Sequence, residues 1–260
     1  MKRSKAKISR ALGRRSEGTR VREMGEDIGP LFKAMHSSLA DLLLGGTGPI
    51  RGAKVLFVGG GQGREIRRLL DLSGPFTAVN LDVSEKALDE YAGRMRVGEP
   101  RLMVLADGRE TPFKEKAFYV AVLYNSLHHM DDIAACLREA MRVADRVCIV
   151  DRRSCMLSKM GRGLGLIRPE EGGEYANEMD LGEVSKVASE AGARISYCRT
   201  HMFLLYFVNW GVHDFFVSHP PLLRTYMPLV KIADSLLRRF GNGVVIVLDG
   251  PGAGRTKNAG

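Results

Sequence analysis

The stretch KVLFVGGGQGREIRRLL, Lys54 to Leu70, passes from an apolar run through four glycines in five residues into a basic, helix-patterned segment. A short apolar run that ends in glycine reads as a buried strand, and the change to helical spacing after it reads as the start of a helix. Glycine suits the junction because it tolerates positive φ and lets a ligand approach the backbone closely. The spacing narrows the choice of ligand. A dinucleotide loop follows G-x-G-x-x-G, and its third glycine would fall on Arg64. What stands here is G-x-G-x-G, at Gly59, Gly61 and Gly63.

Outward from this stretch the pattern alternates. REIRRLLDL reads as a helix ending near Ser73-Gly74-Pro75, and FTAVNLD as a second strand. SEKALDEYAGRM is a helix with Ser84 as N-cap. RLMVLAD and AFYVAVLYN are the third and fourth strands, DDIAACLREAMRV a helix, and DRVCIVD the fifth strand. Apolar strands separated by helices of this length predict a parallel sheet covered on both faces, a doubly wound α/β fold. Upstream, Leu31 to Leu44 carries apolar residues at helical spacing, with Gly45-Gly46 as a stop. Downstream, residues 152–178 are rich in Gly and Arg and read as a lid-like loop. A further helix and strand follow in MDLGEVSKVASEAGARISYCR. Residues 201–240 form an apolar, aromatic, helical insertion that Pro220-Pro221 divides, and NGVVIVLDG closes the sheet. The organisation expected is a basic disordered arm over 1–25, a single domain over 26–250 and a flexible tail over 251–260.

The net charge of +9 has a location. Residues 1–22 hold nine Lys or Arg against Glu17 alone, so the body of the chain is close to neutral. The arm reads as a solvated segment able to meet an anionic surface, membrane or RNA. Hydrophobic residues make up 45% of the 260, ample for a core. No apolar run approaches the ~18–20 residues of a membrane span, and the basic start lacks a signal peptide's apolar centre, so a cytoplasmic location is expected. Cys136, Cys148, Cys155 and Cys198 show neither disulfide nor metal-ligand spacing.

The loop GGGQG in its setting resembles the first motif, VLDLGCGTG, of the class I S-adenosylmethionine-dependent methyltransferases. The likeness extends over about residues 50–200 in the same order. VNLDVSEKALDEYAGRM resembles the second motif, VLADGRETPFKEKAFYVAVLYNSLHHM the third and fourth, and MDLGEVSKVASEAGARI the helix and strand beyond. It is closest to the small-molecule branch, type 11-like, whose members modify quinone and lipid precursors. The resemblance implies a Rossmann-like, seven-stranded, mostly parallel sheet with helices on both faces. It implies S-adenosyl-L-methionine as cofactor, bound by Gly59, Gly60, Gly61, Gly63, Asp82, Val83, Asp107, Gly108 and Tyr124. Asp82 would accept both ribose hydroxyls, Val83 would lie against the adenine, Asp107 would receive the adenine amino group, and Tyr124 would offer its backbone carbonyl. Three positions depart from the family pattern. Phe57 stands where an acid helps order the methionine end, Tyr119 replaces a common Asp, and Ala144-Asp145 shortens a Gly-Gly turn.

Methyl transfer to oxygen calls for a base with a pKa near neutrality, which favours histidine. His128 and His129 follow the fourth strand, and His129 is the expected catalytic residue. The function expected is methyl transfer to a small acceptor, apolar or lipid-like. The alternatives are an RNA methyltransferase using the basic arm, a non-catalytic protein of the same fold, and an aminopropyltransferase. For the last, VLFVGGGQGREIRRLL resembles the loop of spermidine synthase-type enzymes, but this chain lacks the acids with which they hold a polyamine, having Gln62 in the loop and Tyr124 to His128 after the fourth strand.

Overall fold

A computed structural model of the chain describes residues 40–41, 43–95, 102–163, 178–201, 219–251 and 253. The basic arm, the first part of the predicted helix from Leu31, residues 164–177 of the predicted lid-like loop and residues 202–218 of the apolar insertion lie outside the described residues.

Seven strands form one sheet in the order β3-β2-β1-β4-β5-β7-β6. They are β1 (Lys54–Val58), β2 (Thr77–Asp82), β3 (Leu102–Leu105), β4 (Phe118–Tyr124), β5 (Ala144–Arg152), β6 (Arg194–His201) and β7 (Gly243–Asp249). After a first helix that ends at Thr47, the α-helices among the described residues are α1 (Arg64–Ser73), α2 (Glu85–Arg94), α3 (Ile133–Val143), α4 (Met156–Gly163), α5 (Leu181–Glu190) and α6 (Pro220–Leu237). The first five strands pair in parallel. β7 runs antiparallel to both of its neighbours, β5 and β6. The strand expected to close the sheet is therefore an interior strand, and β6 takes the edge.

Because side chains alternate along a strand, β1 feeds two cores. Leu56 and Val58 join Leu137, Val143, Val184 and Val187 on the face covered by α3 and α5. Val55 and Phe57 join Ile66, Leu69, Phe76 and Tyr91 on the face covered by α1 and α2. Both faces are apolar, which is why the strands read as continuous hydrophobic runs.

Local chemistry sets the element ends. Ser84 caps α2 by accepting from the Ala87 N–H at 3.2 Å, as expected, and Asp132 caps α3 by accepting from Ala135 at 2.8 Å. Lys116 donates to the carbonyls of Met141 and Ala144, both at 2.8 Å, placing a cation at the end of α3. That cap lets β5 begin at Ala144 without the missing Gly-Gly turn.

Two expectations are corrected. Gly45-Gly46 does not stop the first helix, which continues to Thr47. A Cβ on Gly46 would lie 2.8 Å from Val247 and 2.9 Å from the Tyr197 ring, so this glycine lets the helix lie close against the sheet. Residues 156–163, within the stretch read as a loop, are α4. Pro220 is the first residue of α6, where the missing N–H is harmless. Tyr119 ties the helix that ends at Thr47 to the sheet. Its hydroxyl donates to the Thr47 carbonyl at 3.2 Å and accepts from Arg146 at 2.9 Å.

Candidate active site

The strand order reverses between β1 and β4, and ligands of doubly wound sheets sit beyond the strand ends at such a switch. The glycine loop leaves β1 there. Gly59, Gly61 and Gly63 have φ of 68°, 50° and 70°, a left-handed region that other residues enter at a cost. Two of these glycines differ in what surrounds them. A Cβ on Gly63 would lie 2.0 Å from the Tyr91 ring, so Gly63 lets α1 pack on α2. A Cβ on Gly61 would meet nothing within 4 Å, so Gly61 faces open space.

The loop is held from β2. The N–H groups of Gly59 and Gly60 donate to the Leu81 carbonyl at 2.8 and 3.3 Å. Gly61 N–H donates to Asp82 Oδ2 at 2.8 Å, and Ser84 N–H to Asp82 Oδ1 at 2.9 Å. Each carboxylate oxygen has a second lone pair left for another donor. Val83, next in the chain, is 46% exposed beside it. Phe57 is 1% exposed, stacks on Phe76 at 6.2 Å between ring centres, and belongs to the core below the loop.

Asp107 follows β3, close to Asp82, since Ala106 N–H donates to the Asp82 carbonyl at 3.1 Å. Its carboxylate is already gripped by Arg109, through Nη2 at 2.6 Å, Nε at 3.0 and 3.1 Å and the backbone N–H at 2.9 Å. The Arg109 hydrogen bonds hold Asp107 below the usual carboxylate range. Gly108 is buried, and a Cβ there would lie 2.7 Å from Val58 Cγ1, so packing on β1 already requires a glycine. The loop is strapped to α3 by Glu139, which accepts from the Thr111 N–H and hydroxyl at 2.8 and 2.6 Å and from Arg142. Arg142, then Thr111, lower the Glu139 pKa to about 2.

Tyr124 ends β4. Burial, then the Glu65 carboxylate, pushes its hydroxyl well above the ordinary value. Glu65, in the first turn of α1, has its own pKa raised by burial. Asn125 takes φ 48°, a conformation Asn adopts more readily than most residues. The chain then forms a 3-10 turn over Leu127–His129.

In that turn the two histidines separate. His128 is 7% exposed, and its Nδ1 lies 2.6 Å from Asp151 Oδ1, at the end of β5. Asp151 also accepts from the backbone N–H groups of Leu127 at 2.9 Å, His128 at 3.3 Å and Arg152 at 2.7 Å. An ionised carboxylate accepts only, so Nδ1 is the donor of this pair, and in the neutral imidazole that leaves Nε2 as the acceptor. His129 is exposed, its ring centre 4.0 Å from that of His128. The buried, oriented imidazole is thus His128, not His129. Asp151 was missed in the sequence because 23 residues separate it from His128. Its one signal was an acid ending an apolar strand, as Asp82 ends β2. Among the described residues no group of three His, Cys, Asp or Glu side chains is placed to hold a metal ion.

Residues 56–146 match the family described as "Methyltransferase domain". A search of curated proteins gives no match. Among solved structures, the chain is similar to the Synechocystis magnesium protoporphyrin IX methyltransferase with bound SAH. The identity is 15%, with 87% of this chain and 86% of that one covered, at a TM-score of 0.57. It is similar to the protein solved with the Haloferax volcanii Trm112 methyltransferase activator, at 14% identity, 84% and 91% coverage and a TM-score of 0.59. A third neighbour is a SAM-dependent methyltransferase from Aquifex aeolicus, at 16% identity, 81% and 88% coverage and a TM-score of 0.50. At these identities the neighbours speak for the fold, and the domain match covers the strands that carry the loop, Asp82 and Asp107. The chain has the fold of the class I S-adenosylmethionine-dependent methyltransferases, and residues 56–146 of it match the methyltransferase domain.

Proposed function

We propose that the chain transfers a methyl group from S-adenosylmethionine to an oxygen of a small, apolar or lipid-like acceptor, with His128 as the general base. The observation that carries this reading is the buried His128–Asp151 pair, with Nδ1 and Oδ1 2.6 Å apart. The donor set fits the cofactor. Asp82 retains acceptor capacity for ribose hydroxyls, Val83 offers an exposed apolar side chain to an adenine, and Gly61 opens on free space. Asp107, beyond Asp82, accepts the adenine amino group alongside its Arg109 contacts.

When bound, the cofactor supplies a methyl group on a sulfonium, already activated for displacement. The chain's own residues then need mainly to position and to move one proton. His128 Nε2 accepts the proton of the acceptor hydroxyl as the oxygen attacks. Asp151 holds the imidazole in the tautomer that makes Nε2 basic and stabilises its charge afterwards. His129, exposed on the same turn, serves as its neighbour. An apolar acceptor is favoured by α4, which follows β5 in the chain and leaves Met156 75% and Met160 53% exposed.

The test offers methyl-labelled S-adenosylmethionine with a panel of hydroxylated apolar small molecules, with total RNA and with anionic lipid vesicles. Label on the small hydroxylated compounds supports the reading. Label on RNA that disappears when residues 1–22 are removed would establish the RNA alternative instead. Absence of heat on titration with millimolar S-adenosylhomocysteine would establish the non-catalytic one.

A further inference from the structure

Asn80 lies beside Phe57 in the parallel β1–β2 register, on the same face of the sheet. It is 0% exposed, a polar side chain set in an apolar core directly beneath the glycine loop. Its Nδ2 donates to the Gly61 carbonyl at 2.9 Å, while the Gly61 N–H donates to Asp82 Oδ2 at 2.8 Å. Two side chains of one strand therefore grip the loop's outward-facing glycine at its carbonyl and at its N–H. Asn80 Oδ1 is buried with no hydrogen-bond partner among the described residues, and a Cβ on Gly60 would lie 2.2 Å from it. The amide is wedged against the loop backbone at an unfavourable cost for one acceptor. Phe57, with no polar atom, contributes bulk alone.

We infer that Asn80 is the positioning residue of the cofactor loop. By donating to the Gly61 carbonyl it fixes the Gly61 N–H on Asp82, and so fixes the carboxylate that receives the ribose. The loop is thus held from β2, beside a β1 position that holds no polar group. The inference rests on the cofactor site described above, though the contact itself belongs to the free protein.

The decisive property is the donor. Asn80→Asp keeps the shape and loses the donor when ionised, but regains an O–H donor when protonated, and burial favours the protonated form. Two readouts separate the inference from the cofactor reading: protection of the Gly61 amide from hydrogen exchange in the free protein, and affinity for S-adenosylhomocysteine. Relative to the natural chain at the same pH, Asn80→Asp should lose about tenfold in both at pH 8, the scale of one hydrogen bond, and recover most of that at pH 5.5. Asn80→Ala should show a loss that does not change with pH. A deficit in Asn80→Asp equal at both pH values, or wild-type protection of Gly61 in both variants at pH 8, would overturn the inference. If the natural chain itself does not bind S-adenosylhomocysteine, the cofactor reading fails, and Gly61 protection still decides the role of Asn80.

Discussion

His128 Nδ1 lies 2.6 Å from Asp151 Oδ1, both side chains almost fully buried, one in the middle of the turn after β4 and the other near the end of β5. Adjacent parallel strands bring these residues together, and the same carboxylate accepts the N–H groups of Leu127 and His128. The carboxylate thus shapes the turn as well as the imidazole. His128→Asn should lower kcat by about 10²–10⁴-fold and Asp151→Asn by about 10²-fold, the range of general-base catalysis. S-adenosylhomocysteine affinity should stay unchanged in His128→Asn. His129→Ala should retain activity within about threefold, since no proton-transfer role is lost. Steady-state kinetics with calorimetric binding on each variant checks the set.

Asp82→Ala removes the acceptor of the Gly61 N–H and the proposed ribose contact. Cofactor affinity should weaken by about 1.5–3 kcal/mol, the value of charge-assisted hydrogen bonds. Titration calorimetry with S-adenosylhomocysteine reads it, and unchanged affinity would place the ribose elsewhere.

Gly61→Ala and Gly63→Ala should fail in different ways. Both have positive φ, so each loses about 1–2 kcal/mol in stability from backbone strain. Gly61→Ala adds a methyl group to open space, so its main loss should be in cofactor binding. Gly63→Ala drives a methyl group into the Tyr91 ring and should lose about 3 kcal/mol or more through overpacking. Melting curves with and without S-adenosylhomocysteine separate the two.

Acid should destabilise the fold in two windows. Burial, then Arg199, lowers the His201 pKa from 6.5 to about 4. The unfolded chain then takes up this proton first, and stability is lost as pH falls from 6.5 to 4, by about 3 kcal/mol. Glu139, held at about 2, contributes stability that is present above 4.5 and lost as pH falls toward 2. With solvent screening of its Arg142 partner that contribution is about 1–2 kcal/mol. Urea unfolding across pH should show a flatter upper window in His201→Gln and a flatter lower window in Glu139→Gln.

The central strands, α1, α2 and the Ser84 cap were legible in the sequence because each follows from local pattern: apolar runs, glycine stops and a side-chain acceptor before a helix. The tight turn after β1 was legible through the spacing of its glycines. What each glycine does was not. Gly63 answers to Tyr91, 28 residues away in the chain, and Gly108 answers to Val58, and neither contact leaves a mark in local composition. His128 and His129 are adjacent and chemically equal in the sequence, and the turn over Leu127–His129 decides which of them meets Asp151. The interior place of β7 was hidden for a similar reason, since strand order depends on long-range pairing and both positions ask for an apolar run.

That place of β7 bears on how the molecule is made. During synthesis the strands from β1 to β5 leave the ribosome able to pair at once. β6 must wait, because its neighbour in the sheet is β7, about forty residues later in the chain. Until β7 arrives, β5 presents an open edge beside its carboxylate Asp151, and such edges invite pairing with other chains. The arrival of β7 therefore ends the period in which the nascent sheet is most exposed to misassembly.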